Sequence, residues 1–218
     1  MRKFTLIELL IVVAIIGILL SLLLPSLKRA RHISMKTVCL SNTSQISKLF
    51  YKNSLNHDGY VFKHESDNIA ANPWDLPTAL YRELGEPPRD LFYCPLRKER
   101  NSNEAWDDLN HKLPAKVTGY FYTWKRQAGM LDSLTTHSWV EKISRVNNPG
   151  ENPLVGDTVI KYNGKFESPA LWSVALYSSH FPEGFKDMSI TYTDGHSKFA
   201  KWGSFSQQLT RFGREIWW

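Results

Sequence analysis

The side chains most able to do chemistry fall in three places along this chain. The first is Glu8, the single ionisable group in the apolar run Phe4–Leu24, FTLIELLIVVAIIGILLSLLL. A carboxylate near the centre of a membrane costs roughly 2.5–3.5 kcal/mol, and acidic groups held there usually have a partner. Glu8 therefore either lies near the interface and reaches water, or meets a charge supplied by another group. The second place is the pair Cys39 and Cys94, the only two cysteines. In an oxidising compartment they can form a bridge closing a long loop, worth about 4 kcal/mol by chain entropy; the alternative is two buried thiols. Their spacing is not that of a structural zinc site, which uses paired CxxC-type ligands. The third place is carboxy-terminal, where His180, Asp194 and His196 offer imidazole and carboxylate ligands. A three-ligand metal site can be built from such groups. Asp194-Gly195, however, is already accounted for as a turn, as His57 and Asp58 are by the stop signal in which they lie. A serine hydrolase is disfavoured, because no nucleophile-elbow pattern such as GxSxG is present.

These residues need elements to position them. Phe4–Leu24 contains one glycine, two hydroxyl side chains and no proline. At ~1.5 Å rise per residue a helix of this length just crosses a ~30 Å hydrocarbon core, and in lipid helix is the form that satisfies its own backbone. A cleavable signal peptide would have a shorter apolar core followed by small residues. Here the run continues into Leu24-Pro25-Ser26-Leu27-Lys28-Arg29-Ala30-Arg31, so the segment is expected to stay attached. Pro25 is expected to kink the helix rather than end it. Arg2 and Lys3 precede the span and Lys28, Arg29 and Arg31 follow it, so basic residues alone leave its orientation ambiguous.

The 218 residues suffice for this helix and one further domain of ordinary size. The formal charge of +6 is spread along the chain, and no nucleic-acid recognition motif accompanies it. From Ser26 to about Leu55 the pattern stays helical, with stripes Leu27, Ala30, Ser34, Val38 and Ile46, Leu49, Phe50, Asn53. Lys28, Arg29, Arg31, Lys36, Lys48 and Lys52 fill the remaining faces. Asn56-His57-Asp58-Gly59 stops the helix. Beyond it, Pro77–Leu84 reads as a short helix, Leu91–Cys94 as a strand broken by Pro95, and Thr118–Trp124 as a strand. Ser138–Val146 reads as a strand or short helix, and Leu154–Ile160 as a strand with a bulge at Gly156. Met188–Thr193 and His196–Trp202 flank Asp194-Gly195 as a hairpin with a two-residue type I′ turn, pairing Ile190 with Phe199 and Tyr192 with Ser197. Most of the eight tryptophans are expected in the core, with Trp217 and Trp218 docking at an edge or on a neighbour. The fold class is α+β: a leader 1–3, a long helix 4–57 (4–24 transmembrane, 25–57 amphipathic), and a β-rich head 58–218.

Arg2-Lys3-Phe4-Thr5-Leu6-Ile7-Glu8-Leu9-Leu10 resembles the start of a type IV prepilin or type II secretion pseudopilin. The resemblance implies a pilin-like fold, cleavage by a prepilin peptidase between Lys3 and Phe4, and N-methylation at Phe4. It also implies pairing of Glu8 with the terminal amine of a neighbouring subunit. One residue departs from the pattern, since Lys3 stands where the family has glycine. Cys39 on the helix, Cys94-Pro95, and His180 ahead of Asp194-Gly195 resemble a narrower prepilin-type group with an H-X9-DG motif, although here thirteen residues separate the histidine from Asp194. The expected function is a structural, non-enzymatic filament subunit in a bacterial inner membrane with its head exported. Its partners would be the peptidase, other pilin or pseudopilin subunits and membrane lipid, with no nucleic acid, no cofactor and no metal. A helix-anchored adhesin or glycan-binding module that never polymerises is the first alternative, and a tethered enzyme or metal protein the second.

Overall fold

In the computed structural model the residues described are 5–62, 74–96, 101–107, 115–123, 140, 142–157, 159–162, 187–201, 208–211 and 214–217. They divide into two compact units, Met1–Met35 and Lys36–Trp218. One helix, α1 (Leu6–Leu55), contributes to both.

In the first unit every residue from Thr5 to Arg31 is exposed, and the apolar surface from Leu6 to Leu27 is exposed with them. This part of α1 is long and apolar enough to cross a membrane. Its two internal hydroxyls are satisfied within the helix: Ser21 Oγ donates to the Ile18 carbonyl at 2.7 Å and Ser26 Oγ to that of Leu23 at 2.8 Å. Helix continues through Pro25, which supplies no N–H of its own.

Of the two stripes that periodicity suggests, Ile46, Leu49, Phe50 and Asn53 in the second unit are buried or half-buried, and the other faces out. Leu27, Ala30, Ser34 and Val38 are exposed, Leu27 at 68% and Val38 at 44%. The buried face within this unit is Lys36, Cys39, Asn42, Thr43, Ile46, Ser47, Phe50 and Asn53, at helical spacing but more polar than apolar. Lys36, Asn42, Thr43 and Asn53 are each paired or hydrogen-bonded, whereas Ser47 Oγ has no hydrogen-bond partner among the described residues. Thr191 Oγ1 donates to Thr43 Oγ1 at 3.0 Å and lies 2.8 Å from Ser197 Oγ. Lys36, which the apolar stripes leave on a remaining face, pairs with Asp187 and lies over the Phe199 ring. Both charged side chains are largely buried, so removing either alone would cost about 3–5 kcal/mol. The helix stops as expected: Asp58 and Gly59 take positive φ, and the Gly59 N–H donates to the Ser54 carbonyl at 2.8 Å.

The described strands form three antiparallel sheets. β1 (Asp75–Pro77) pairs with β2 (Ala115–Val117). A four-stranded sheet has the order β3 (Tyr120–Tyr122), β4 (Pro153–Asp157), β6 (Asp187–Tyr192), β7 (Ser197–Lys201). A third sheet has β9 (Arg214–Trp217) between β5 (Val159–Tyr162) and β8 (Gln208–Arg211). Thus Leu154–Ile160, read as one strand, is divided between two sheets. The register slips between Pro153 and Val155, placing the bulge at Leu154 rather than Gly156. Gly156 has another role, because a Cβ there would lie 2.6 Å from the Phe121 ring on its cross-strand partner.

Two further readings are corrected. Leu91–Cys94 is no strand: Arg89–Phe92 forms a 3-10 turn entered through Pro88, with the Leu91 N–H bonded to the Pro88 carbonyl at 3.0 Å. Pro87-Pro88 fixes the chain for a turn, and the turn delivers Phe92 and Tyr93 to an aromatic cluster with Tyr81 and Trp106. The 138–146 segment contributes a bridge from Lys142 to Tyr60 and a 3-10 turn at Ile143–Arg145. The short helix α2 (Thr78–Glu83) follows Pro77 as expected, and α3 covers Asn103–Trp106. Trp74 and Trp106 are both buried in the head, whereas Trp124, Trp139, Trp172, Trp202 and Trp218 lie outside the described residues.

Candidate functional site

At the start of α1, Thr5 and Glu8 form a reciprocal cap. The Thr5 N–H and the Thr5 hydroxyl each donate to Glu8 Oε2 at 2.8 Å, and the Glu8 N–H donates to Thr5 Oγ1 at 3.3 Å. This is a capping box, Thr-x-x-Glu, in which each residue satisfies a backbone donor that the first helical turn leaves open. Among the described residues all of Glu8's side-chain hydrogen bonds come from Thr5 through Oε2, which leaves Oε1 and the negative charge open to a further partner. Thr5 went unnoticed in the sequence reading, although Thr three places before Glu at the head of an apolar run is the signal for it. Lys3 and Phe4 lie outside the described residues.

Further along the helix, Cys39 is bonded to Cys94, with Cα atoms 5.2 Å apart. Periodicity places Cys39 on the buried stripe, and the turn after Pro88 brings Cys94 to it. A carboxylate oxygen of buried Asp157 lies within 4.8 Å of both sulfurs; this is the one close trio of metal-ligand types among the described residues. With both sulfurs engaged in their mutual bond, the trio offers no thiolate to a metal. Asp157 Oδ2 instead accepts the Ser189 N–H at 2.8 Å. Opposite it, burial first and the Asp157 charge second push the Tyr120 phenol well above its ordinary range. Beside the disulfide a cleft of about 530 Å³ opens, its polar lining supplied by Asn42, Gln45, Asp90 and Asn101. Leu91 and Pro95 give it an apolar edge.

The carboxy-terminal hairpin lies where Asp194-Gly195 indicated, but its turn differs. Only Gly195 has positive φ; Asp194 does not. A type I′ turn needs both, so the loop has three residues, Thr193-Asp194-Gly195, closed by the Tyr192 N–H to the His196 carbonyl at 2.9 Å. The extra loop residue moves the register by one: Ser189 pairs with Phe199, Ile190 with Lys198 and Thr191 with Ser197. Ile190 and Phe199 therefore occupy opposite faces. At the tip, His196 stacks on Tyr192 with ring centroids 4.4 Å apart, and its Nδ1 lies 2.6 Å from Asp194 Oδ1. Partial desolvation raises the Asp194 carboxyl, but the His196 N–H, imidazole and charge outweigh it and hold it below the ordinary range. Asp194 thus orients the imidazole as well as making the turn. His180 lies outside the described residues, so its relation to Asp194 is not part of the observed geometry. His57, also weighed as a ligand, lies 3.4 Å from Glu83.

Fold and sites together define a chain with one apolar amino-terminal helix long enough to span a membrane, together with antiparallel sheets in an α+β arrangement. Comparison with protein-family models, with curated proteins and with solved structures finds no match for this chain.

Proposed function

We propose that the protein is a pilin-like structural subunit of a type II secretion pseudopilus or a type IV pilus-like filament, and not an enzyme. On this reading the apolar part of α1 anchors the precursor in a bacterial inner membrane with the head exported. Prepilin peptidase cuts between Lys3 and Phe4, and Phe4 is N-methylated. The observation that carries the reading is Glu8, an exposed acidic side chain in the first turn of a helix whose next nineteen residues have no ionisable group. A carboxylate in hydrocarbon needs a cation. The new terminal amine of a neighbouring subunit is one, and a pair of this kind favours one axial stagger between subunits. Within its own chain Glu8 is held by Thr5, which fixes the carboxylate at the helix start before any neighbour arrives.

The test has two parts. Intact mass of the membrane-extracted protein should show loss of Met1–Lys3 and one added methyl group, while an unprocessed chain would count against the class. Glu8→Ala should insert normally and fail to enter filaments, and normal incorporation would remove the assembly role.

The cleft beside Cys94 favours a second reading, an anchored binding module that does not polymerise. Its three side-chain amides and one carboxylate suit a hydroxyl-rich ligand such as a glycan. Glycan-array binding lost in Asn42→Ala and Gln45→Ala, by a protein that forms no filament, would favour this reading over the first.

A further inference from the structure

Directly after the apolar surface of α1 come Lys28, Arg29 and Arg31, all exposed. Among the described residues none of the three has an acidic partner. From Leu6 to Leu27 the helix rises about 33 Å, the full thickness of a hydrocarbon core of about 30 Å. Lys28 then stands at the boundary, and Arg29 and Arg31 lie within about 6 Å beyond it, in the layer of lipid headgroups. At roughly 100° per residue the three side chains fan over nearly half of the helix circumference. Guanidinium groups bind phosphate oxygens through paired N–H donors, and the lysine adds a point charge.

Orientation sharpens this. With the head exported, these three cations have crossed the membrane, against the tendency of Lys and Arg to remain cytoplasmic. Two more basic residues, Arg2 and Lys3, flank the other end. Cations on the far side with no acidic partner among the described residues are stabilised by a negative surface there.

We infer that Lys28, Arg29 and Arg31 form a binding site for the phosphate of anionic phospholipid headgroups in the leaflet next to the head. This rests on the membrane-anchored reading and does not require filament assembly. The site makes the span selective for anionic lipid over zwitterionic lipid of equal chain length, and it sets how far α1 can slide along the membrane normal.

The test uses the full chain reconstituted in nanodiscs of equal parts phosphatidylglycerol and phosphatidylcholine, followed by release and native mass spectrometry to count retained lipids. Phosphatidylglycerol should be retained over phosphatidylcholine by about tenfold or more, since each cation at the headgroup layer contributes roughly fivefold. The triple variant Lys28→Gln, Arg29→Gln, Arg31→Gln should retain both lipids equally, while Lys48→Gln and Lys52→Gln should not change the ratio. Equal retention by the unaltered chain, or an undiminished preference in the triple variant, would overturn the site. So would stronger charge-dependent binding to a single-stranded oligonucleotide than to the lipid. Recovery of the chain in the carbonate-soluble fraction would remove the membrane reading itself. Loss of assembly in filaments, with the lipid preference intact, would remove only the pilin reading.

Discussion

The two halves of α1 are one continuous helix built on opposite principles. Between Leu6 and Leu27 apolar side chains point in all directions and every one of them is exposed. Between Lys36 and Leu55 a single face is buried, and it carries Lys36, Asn42, Thr43 and Ser47 beside Ile46 and Phe50. The first half meets no partner among the described residues, and uniform apolarity with an internally bonded backbone is what a span in lipid requires. The second half must dock in one register, and hydrogen bonds specify that register more sharply than hydrocarbon contacts do. Thr43 to Thr191 and Lys36 to Asp187 are such contacts. Length and backbone conformation are shared, so what differs is the solvent for which each half is written.

Truncation should separate the halves most strongly. Phe50 is fully buried and packs edge-on to Tyr122 at 5.5 Å, so Phe50→Ala should destabilise the head by about 3–5 kcal/mol. Leu20→Ala, 53% exposed before truncation, should leave head unfolding within about 0.5 kcal/mol. Urea unfolding of the detergent-solubilised protein, followed by tryptophan fluorescence, reads both; comparable losses would erase the contrast. Next comes the disulfide, which joins positions 55 residues apart. Replacing both cysteines by alanine should remove about 4 kcal/mol from the head and leave membrane insertion unchanged. A variant that no longer inserts would show that the halves are not separable.

The smallest expected effect is a dependence on alkaline pH confined to the head. Burial raises the phenols of Tyr120, Tyr51 and Tyr81, with the charges of Asp157, Asp194 and Glu86 respectively adding to it. A group whose folded value is raised holds its proton longer in the folded state. Its contribution is complete below the unfolded value of about 10 and is lost as pH rises through the folded value. Head stability should therefore fall above about pH 10, and less steeply in Tyr120→Phe. An unchanged alkaline slope in that variant would remove Tyr120 as the source.

The sequence made legible what depends on composition and strong local signals. The apolar run, the stop at Asp58-Gly59, the short helix after Pro77 and the position of the last hairpin all follow from residue types alone. The cysteine bridge was one of two open outcomes, and proximity decided it. What escaped depends on tertiary choice. The stripe Ile46, Leu49, Phe50 and Asn53 follows from periodicity and is buried or half-buried, but its continuation back to Lys36 escaped because Lys36, Asn42, Thr43 and Ser47 are polar, and apolar periodicity cannot see a polar residue on a packed face. The hairpin register slipped because Asp-Gly signals a turn without stating whether Thr193 joins it. Leu91–Cys94 carries strand-prone residues, yet Pro87-Pro88 ahead of them and the aromatic cluster beyond turned the segment into a 3-10 turn. The Thr5–Glu8 cap is legible as Thr-x-x-Glu ahead of an apolar run, a local signal that a reading of Glu8 as a charge alone does not contain.

The covalent joint between Cys39 and Cys94 also determines how the molecule carries tension. A pull on the amino-terminal end of α1 reaches Cys39 and passes through sulfur directly into the backbone at Cys94. The 54 residues enclosed between them, including the last turns of the helix and α2, are then shielded from extension. Under load the head must yield first in the strands beyond Cys94, and the helix cannot be peeled from its seat past the joint without breaking a chemical bond.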